Sequence, residues 1–184
     1  MSQDLQSQLL QECIDGNRQA QQMLYERYAH RFLNIAYRVV WHKEDARDVV
    51  QESFMKIFSS LRGLKETVKF EGWAKRIVVN NAITLLRQKG KMPLYDLESA
   101  DDFPFEKEDP VDEGIQQWNI TIAKKALSEL APGYRTIISL YLLEGYDHKE
   151  ISEIMGISVS TSITQFNRGK KRLKEKVKFA INER

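Results

Sequence analysis

Between residues 89 and 115 the chain changes character. This stretch of 27 residues holds nine acidic side chains against three basic ones, three of the four prolines (Pro93, Pro104 and Pro110), and both Gly90 and Gly114. Proline removes a backbone donor and glycine loosens the chain, so regular structure does not propagate through such a stretch. It is also too long for an ordinary connection inside one compact domain. The 184-residue chain therefore divides into a domain at 1–88, an acidic linker at 89–115 and a domain at 116–184. Each flanking part is long enough to close a small core.

Both flanking parts read as helix, because apolar residues recur at three- and four-residue steps and no apolar/polar alternation is sustained. Leu9, Leu10 and Ile14 mark a short first helix that stops at Asp15-Gly16-Asn17. Leu24, Tyr28, Phe32, Ile35 and Val39 mark the second. A third begins near Lys43, with Ala46, Val49, Val50, Ser53, Phe54, Ile57, Phe58 and Leu61 on one stripe and Gly63 at its end. Glu44, Asp45 and Asp48 lie in its first turns, where the helix dipole favours negative charge. A fourth spans Gly72 to Gln88, with Ala74, Ile77, Val78, Asn81, Ala82, Leu85 and Leu86 inward. Trp73, Arg76, Asn80, Thr84 and Arg87 share a different, polar face of it.

Helix resumes near Ile115 with Trp118, Ile122, Ala126 and Leu130, and Ala131-Pro132-Gly133 interrupts it. Tyr134 to Leu143 is apolar-rich and Glu144-Gly145 ends it. Asp147 and Glu150 then fit a capping box, Gly156 suits a left-handed turn, and Ser158 suits the cap of a last helix from Val159. A short helix, a turn centred on glycine, and a second helix reading Ser160-Thr161-Ser162-Ile163-Thr164-Gln165-Phe166-Asn167-Arg168 form a helix-turn-helix pattern. Ile151, Ile154, Ile157, Ser162 and Phe166 are its expected packing residues. The expected fold class is thus all-α: two small helical domains, an acidic proline-containing linker and a C-terminal helix-turn-helix.

Charge adds a partner class. The net +2 is the sum of +3 over residues 1–88, −6 over 89–115, −1 over 116–166 and +6 over 167–184. On charge alone, the basic C-terminus fits a polyanion partner or a solvated helix face equally well. Joined to the motif, it favours DNA: short polar side chains approach base edges, and Arg168, Lys170, Lys171, Arg172 and Lys174 can neutralise flanking phosphates. Other classes are disfavoured. His30, His42 and His148 are scattered, with no metal-protease, phosphate-loop or nucleophile-elbow motif, and His148 reads as a surface residue. The single Cys13 offers neither a disulfide framework nor a multi-cysteine metal site. No catalytic residue, metal or cofactor is expected. No run of roughly 18 apolar residues spans a bilayer, and the N-terminus lacks a signal-peptide pattern, so a cytoplasmic protein without membrane insertion is expected.

Over nearly its whole length the chain resembles an extracytoplasmic-function sigma factor, the small two-domain class of bacterial RNA polymerase initiation subunits. Glu44-Asp45-Ala46-Arg47-Asp48-Val49-Val50-Gln51-Glu52-Ser53-Phe54 resembles the polymerase-binding helix of that family. Phe70 to Ala82 resembles its −10-reading helix, and Leu130-Ala131-Pro132-Gly133-Tyr134-Arg135 with Gly156 to Leu173 resembles its −35-reading domain. The resemblance implies that Asp48, Gln51 and Glu52 dock on the clamp of the largest core polymerase subunit, and that the second-largest subunit offers its flap. It implies that Trp73, Arg76, Asn80 and Arg87, with Lys65, Lys69 and Lys75 on and beside the loop Leu64 to Glu71, capture the melted non-template −10 strand. It implies −35 contacts from Ser160, Thr161, Ile163, Thr164, Asn167, Arg168, Lys171 and Arg172. An acidic linker in the polymerase cleft and a separate anti-sigma protein are further family expectations.

The pattern is departed from at four places. Ile163 and Gln165 stand where family members commonly carry cations, and Val79 and Thr84 stand where a base and an acid are frequent. A lost bidentate base contact is worth about 1–3 kcal/mol, so a weaker −35 readout is implied. Two readings stand: a different −35 sequence touched by Ile163, or help from an additional DNA-targeting recruiter. The alternative for the whole chain is a helix-turn-helix regulator that binds promoter DNA and not core polymerase.

Overall fold

The computed structural model describes residues 3–64, 69–92 and 120–182. Lys65, the linker from residue 93 onward, and the Ile115 and Trp118 portion of the expected fifth helix lie outside the described residues. The described residues contain helices and turns and no strand. They fall in two compact units, Met1–Lys91 and Met92–Arg184.

In the first unit α1 (Gln3–Ile14), α2 (Arg18–Val40), α3 (Lys43–Ser60) and α4 (Phe70–Gln88) form a helical bundle. Asn17 starts α2 by accepting from the backbone N–H groups of Gln19 and Ala20 at 3.0 and 3.2 Å. A single 3-10 turn, Leu61–Gly63, closes α3. Leu24, Tyr28, Phe32, Ile35 and Val39 are all buried along α2, as their spacing requires. A run of rings joins the helices: Tyr25 meets Phe54, Phe54 meets Phe32, Phe32 meets Tyr28 and Tyr28 meets Phe70, with centroids 4.7–5.6 Å apart. Such stacked, edge and tilted contacts add about 0.5–1.5 kcal/mol per pair beyond burial.

Three expectations are corrected here. In α1, Cys13 is buried while Ile14 is only half-buried. Helix α4 starts at Phe70, so Phe70 and Glu71 belong to its first turn and not to the preceding loop. Its inner face is wider than the stripe from the sequence: Phe70, Val79 and Ile83 are buried, whereas Ile77 and Leu85 are half-buried. The cause is that α4 packs on both α2 and α3, so two arcs of its surface leave water.

In the second unit α5 (Ile120–Ser128), α6 (Pro132–Ile138), α7 (His148–Met155) and α8 (Val159–Asn182) surround a smaller core. Pro132 occupies the first turn of α6, where its missing N–H costs nothing. The buried Arg135 guanidinium donates to the carbonyls of Ser128 and Leu130 at 2.9 and 3.2 Å, closing the end of α5 with charge of the right sign. The apolar stretch expected from Tyr134 to Leu143 is not one regular helix. It passes into a π turn at Ser139–Leu143, where Glu144 N–H bonds the Ser139 carbonyl at 3.1 Å. Ile122 and Ala126 of α5 pack on Val177 of α8.

Candidate polymerase and nucleic-acid surfaces

Three surfaces carry the residues singled out above. On α3, Asp48, Gln51 and Glu52 are all exposed, and the steps of three and four put them on one face. Met55, 72% exposed, continues that face by one more turn and had no sequence signal other than its spacing. Glu52 pairs with Lys56 at 3.0 Å. One acid of the first turn behaves differently. Asp45 is buried, and its Oδ1 accepts from Lys89 Nζ at 2.6 Å and lies 3.1 Å from His42 Nδ1. The Lys89 hydrogen bond outweighs desolvation and holds the Asp45 carboxyl below the usual carboxylate range.

Behind the same face lies a polar tie to α4. Asn81, buried, donates from Nδ2 to Ser53 Oγ at 2.9 Å, and Ser53 Oγ donates to the Val49 carbonyl at 2.6 Å. Lys56 Nζ donates to Asn81 Oδ1 at 2.6 Å. Sequence periodicity put Ser53 and Asn81 on inward stripes and gave no sign that they bond to each other. Cys13 is no site: burial, with Glu12 beside it, pushes its thiol up to about 11, so it stays protonated and unreactive.

The outer face of α4 carries the second set. Arg76, Asn80, Thr84 and Arg87 are exposed. Trp73 is half-buried, its ring tilted against Phe70 at 6.0 Å, so one side is anchored by the core and the rest meets solvent. Lys75 is half-buried and Lys69 exposed in the turn before α4. Glu71 is taken up by an ion pair with Arg31 of α2. Aromatic surface, an amide and nearby cations on one helix suit unstacked bases on an anionic strand.

The third surface is α7, its turn and α8. The capping box forms as expected: Asp147 Oδ1 accepts from Glu150 N–H at 2.8 Å and Glu150 Oε2 from Asp147 N–H at 3.0 Å. Gly156 adopts φ 62°, ψ 38°, the left-handed conformation that L side chains disfavour. Ser158 Oγ accepts from Thr161 N–H at 3.0 Å and starts α8. Ile151, Ile154, Ser162 and Phe166 are buried between the helices, and Ile157 is half-buried.

His148, expected at the surface, is half-buried. It stacks on Tyr141 at 4.6 Å, meets Phe166 edge-on at 5.4 Å, and its Nδ1 lies 2.9 Å from the fully buried Ser162 Oγ. It therefore ties α7 to the first turns of α8.

Along α8, Ser160, Asn167, Lys170, Lys171 and Arg172 are exposed, and Thr161, Ile163, Thr164 and Arg168 are half-buried. Arg172 is held over the Tyr134 ring at 4.8 Å, a cation–π contact with α6. Between α5 and the end of α8 lies an open groove of about 470 Å³, lined by Ile122, Ala126, Phe179 and Ala180 and rimmed by Lys125, Glu129, Glu175 and Lys176. Among the described residues no helix is long and apolar enough to cross a membrane, and no cluster of three or more His, Cys, Asp or Glu could hold a metal.

Two family models match the chain. The family described as Sigma-70 region 2 matches residues 24–92, and Sigma-70 region 4 matches residues 121–173. An ECF RNA polymerase sigma factor SigE of Mycolicibacterium smegmatis is 31% identical over 155 residues, which are 83% of this chain and 59% of the relative. RNA polymerase sigma factor SigV of Bacillus subtilis is 33% identical over 140 residues, 76% of this chain and 80% of the relative. In fold, the chain is similar to the sigma factor RpoE of Bartonella quintana, solved in complex with the anti-sigma factor NepR. The TM-score is 0.57 at 20% identity, covering 85% of this chain and 96% of that one. Two family matches in order and a third of residues shared with a sigma factor of similar length lead to one conclusion: the chain belongs to the extracytoplasmic-function RNA polymerase sigma factors, which are transcription initiation factors and not enzymes.

Proposed function

We propose that the chain docks on core RNA polymerase through α3, captures the melted non-template −10 strand on α4 and sets α8 in the major groove at −35. The observation that carries this is the pairing, in one helical unit, of an exposed acidic face (Asp48, Gln51, Glu52) with a separate aromatic and cationic face (Trp73, Arg76, Asn80, Arg87). A regulator that binds only duplex DNA has no use for either. The acids suit the clamp of the largest subunit. Trp73 offers ring surface to an unstacked base and Asn80 an amide to its edge, while Lys69, Lys75, Arg76, Arg87 and Lys65 supply positive charge along the strand.

On α8, Ser160, Thr161, Ile163, Thr164 and Asn167 meet base edges, and Arg168, Lys171 and Arg172 meet phosphate. The groove between α5 and α8 suits an apolar helix such as the flap of the second-largest subunit. Attachments joined by a tether reinforce one another through effective concentration, so none needs high affinity alone. Ile163 and Gln165 leave −35 readout weaker by about 1–3 kcal/mol than a cation-bearing helix, offset either by a different −35 sequence that Ile163 touches or by an additional DNA-targeting recruiter. The protein works in the cytoplasm, and an anti-sigma protein holds it in reserve, as NepR accompanies the Bartonella sigma factor.

The test is co-elution with sigma-free core polymerase, with the Asp48→Ala/Glu52→Ala variant beside it. Stable co-elution that the variant loses is expected. Failure to co-elute, with duplex binding intact, would make the chain an ordinary helix-turn-helix regulator. A transcription start map on naked DNA tests the recruiter: strong, sequence-defined initiation without a helper removes it.

A further inference from the structure

The docking face and the strand-capture helix are joined through one side chain. Lys56 Nζ lies 3.0 Å from Glu52 Oε1 and 2.6 Å from Asn81 Oδ1. Asn81 is buried, precedes Ala82 in the core of α4 and follows Asn80 on its outer face. Its other amide end is fixed by Ser53, which is fixed in turn by the Val49 carbonyl. A single ammonium group thus bridges the Glu52 carboxylate and a buried amide oxygen and divides its charge between them. Glu52 and Lys56 are more than half exposed at their side chains, so their pairing is weak and easily exchanged. The bond to Asn81 is charge-assisted as well, is shorter and ends on a buried amide, and is therefore the stronger of the two.

We propose that Lys56 is a positioning residue: it carries the occupancy of the docking face to α4. When a cationic group of the partner takes the Glu52 carboxylate, Lys56 turns its full charge to Asn81. The Asn81 amide is then held more firmly between Lys56 and Ser53, and the turn of α4 that presents Asn80 is stiffened for strand capture. Conversely, the free chain keeps a looser α4 and a weaker hold on single strands. This rests on the docking proposed above for α3.

The test is hydrogen exchange of amides 78–84 in the full chain, free and bound to core polymerase, for the wild type, Lys56→Met and Lys56→Arg. Lys56→Met leaves the buried Asn81 Oδ1 without this donor, so Lys56→Arg, which keeps a cation there, is the control for lost stability. In the wild type, core binding should slow exchange about two- to fivefold, the effect of one surface pair exchanged. Lys56→Met should still co-elute with polymerase but show equal exchange free and bound, and Lys56→Arg should restore the difference. The same slowing in Lys56→Met would overturn the proposal. So would loss of co-elution by Lys56→Met alone, which would make Lys56 a docking contact. If the wild type itself does not co-elute, the docking fails first, and that outcome is read directly from the column.

Discussion

The buried carboxylate at the start of the docking helix gives the most quantitative prediction. Asp45→Asn keeps the shape of the side chain and one acceptor for Lys89, but removes the charge. A hydrogen bond between charged groups contributes about 1.5–3 kcal/mol, and a carboxylate in the first turn of a helix adds about 0.3–1 kcal/mol. Against this, Asn retains a neutral bond, and Lys89, 40% exposed at its side chain, recovers hydration when its partner is lost. A net loss of about 1–2 kcal/mol at pH 7 follows, or a fall of roughly 5–15 °C in the melting temperature of a unit this size. Trp41 and Trp73 both lie in this unit, so tryptophan emission during urea unfolding at fixed pH reports on it.

The pH dependence has a fixed sign. The folded carboxyl is held below its ordinary 3.8, so its contribution is complete above that value. It disappears as pH falls through the folded pKa. The gap between wild type and Asp45→Asn should therefore be constant from pH 7 to about pH 5 and close at pH values below 3.8. A gap that is absent at pH 7, or that stays the same below the folded pKa, would refute the assignment of the lowered carboxyl to the Lys89 bond.

Two further perturbations address the second unit. Gly169→Ala gains about 1 kcal/mol of helix propensity, but its Cβ would stand 2.9 Å from Ile138 Cδ1 and 3.1 Å from Tyr134 Cβ. The isoleucine tip can move and the tyrosine Cβ cannot, so net destabilisation is expected in thermal unfolding, deeper for Gly169→Val. His148→Ala removes two ring contacts and the Ser162 bond and should cost about 2 kcal/mol. Duplex binding should weaken while co-elution with polymerase in the presence of an intact first unit persists.

Period finds the centre of a buried face: every apolar residue assigned inward on α2 is buried, and Asp147, Gly156 and Ser158 do at α7 and α8 what their chemistry requires. It underestimates the width of a face packed on several neighbours. Helix α2 meets α1, α3 and α4 and also buries Ala20, Ala36 and Val40, and α4 meets α2 and α3 and also buries Val79 and Ile83. Polar partnerships are harder still. Ser53 and Asn81 look like tolerated polar residues on apolar stripes until the two helices are side by side, 28 positions apart in sequence. His148 looks exposed because it sits among charged residues, and its contacts with Tyr141, Phe166 and Ser162 half-bury it. The π turn has no sequence mark, since its extra residue is accommodated by where α6 must end. The polar face of α4 was legible from spacing, whereas Asp48, Gln51 and Glu52 were singled out only by the family resemblance. The mutual ties of the candidate site residues were legible from neither.

The cations of α8 can be sorted by distance into those that serve DNA and those that do not. With a rise of 1.5 Å per residue, Lys171 lies about 10 Å along the axis from Thr164, the middle of the base-facing segment, and Lys178 about 21 Å. A major groove about 12 Å wide places its phosphates about 6 Å from the centre, and a lysine side chain spans a similar distance. Lys171 reaches phosphate and Lys178 does not. Each phosphate neutralised contributes about −0.9 to the slope of log affinity against log salt. Lys171→Ala should therefore reduce the slope by about 0.9 and weaken all duplex sequences alike. Lys178→Ala should leave the slope unchanged, even though it removes the same formal charge. Equal effects from the two would mean that α8 attracts DNA only through its summed charge. The recognition helix would then not be seated in a groove at all.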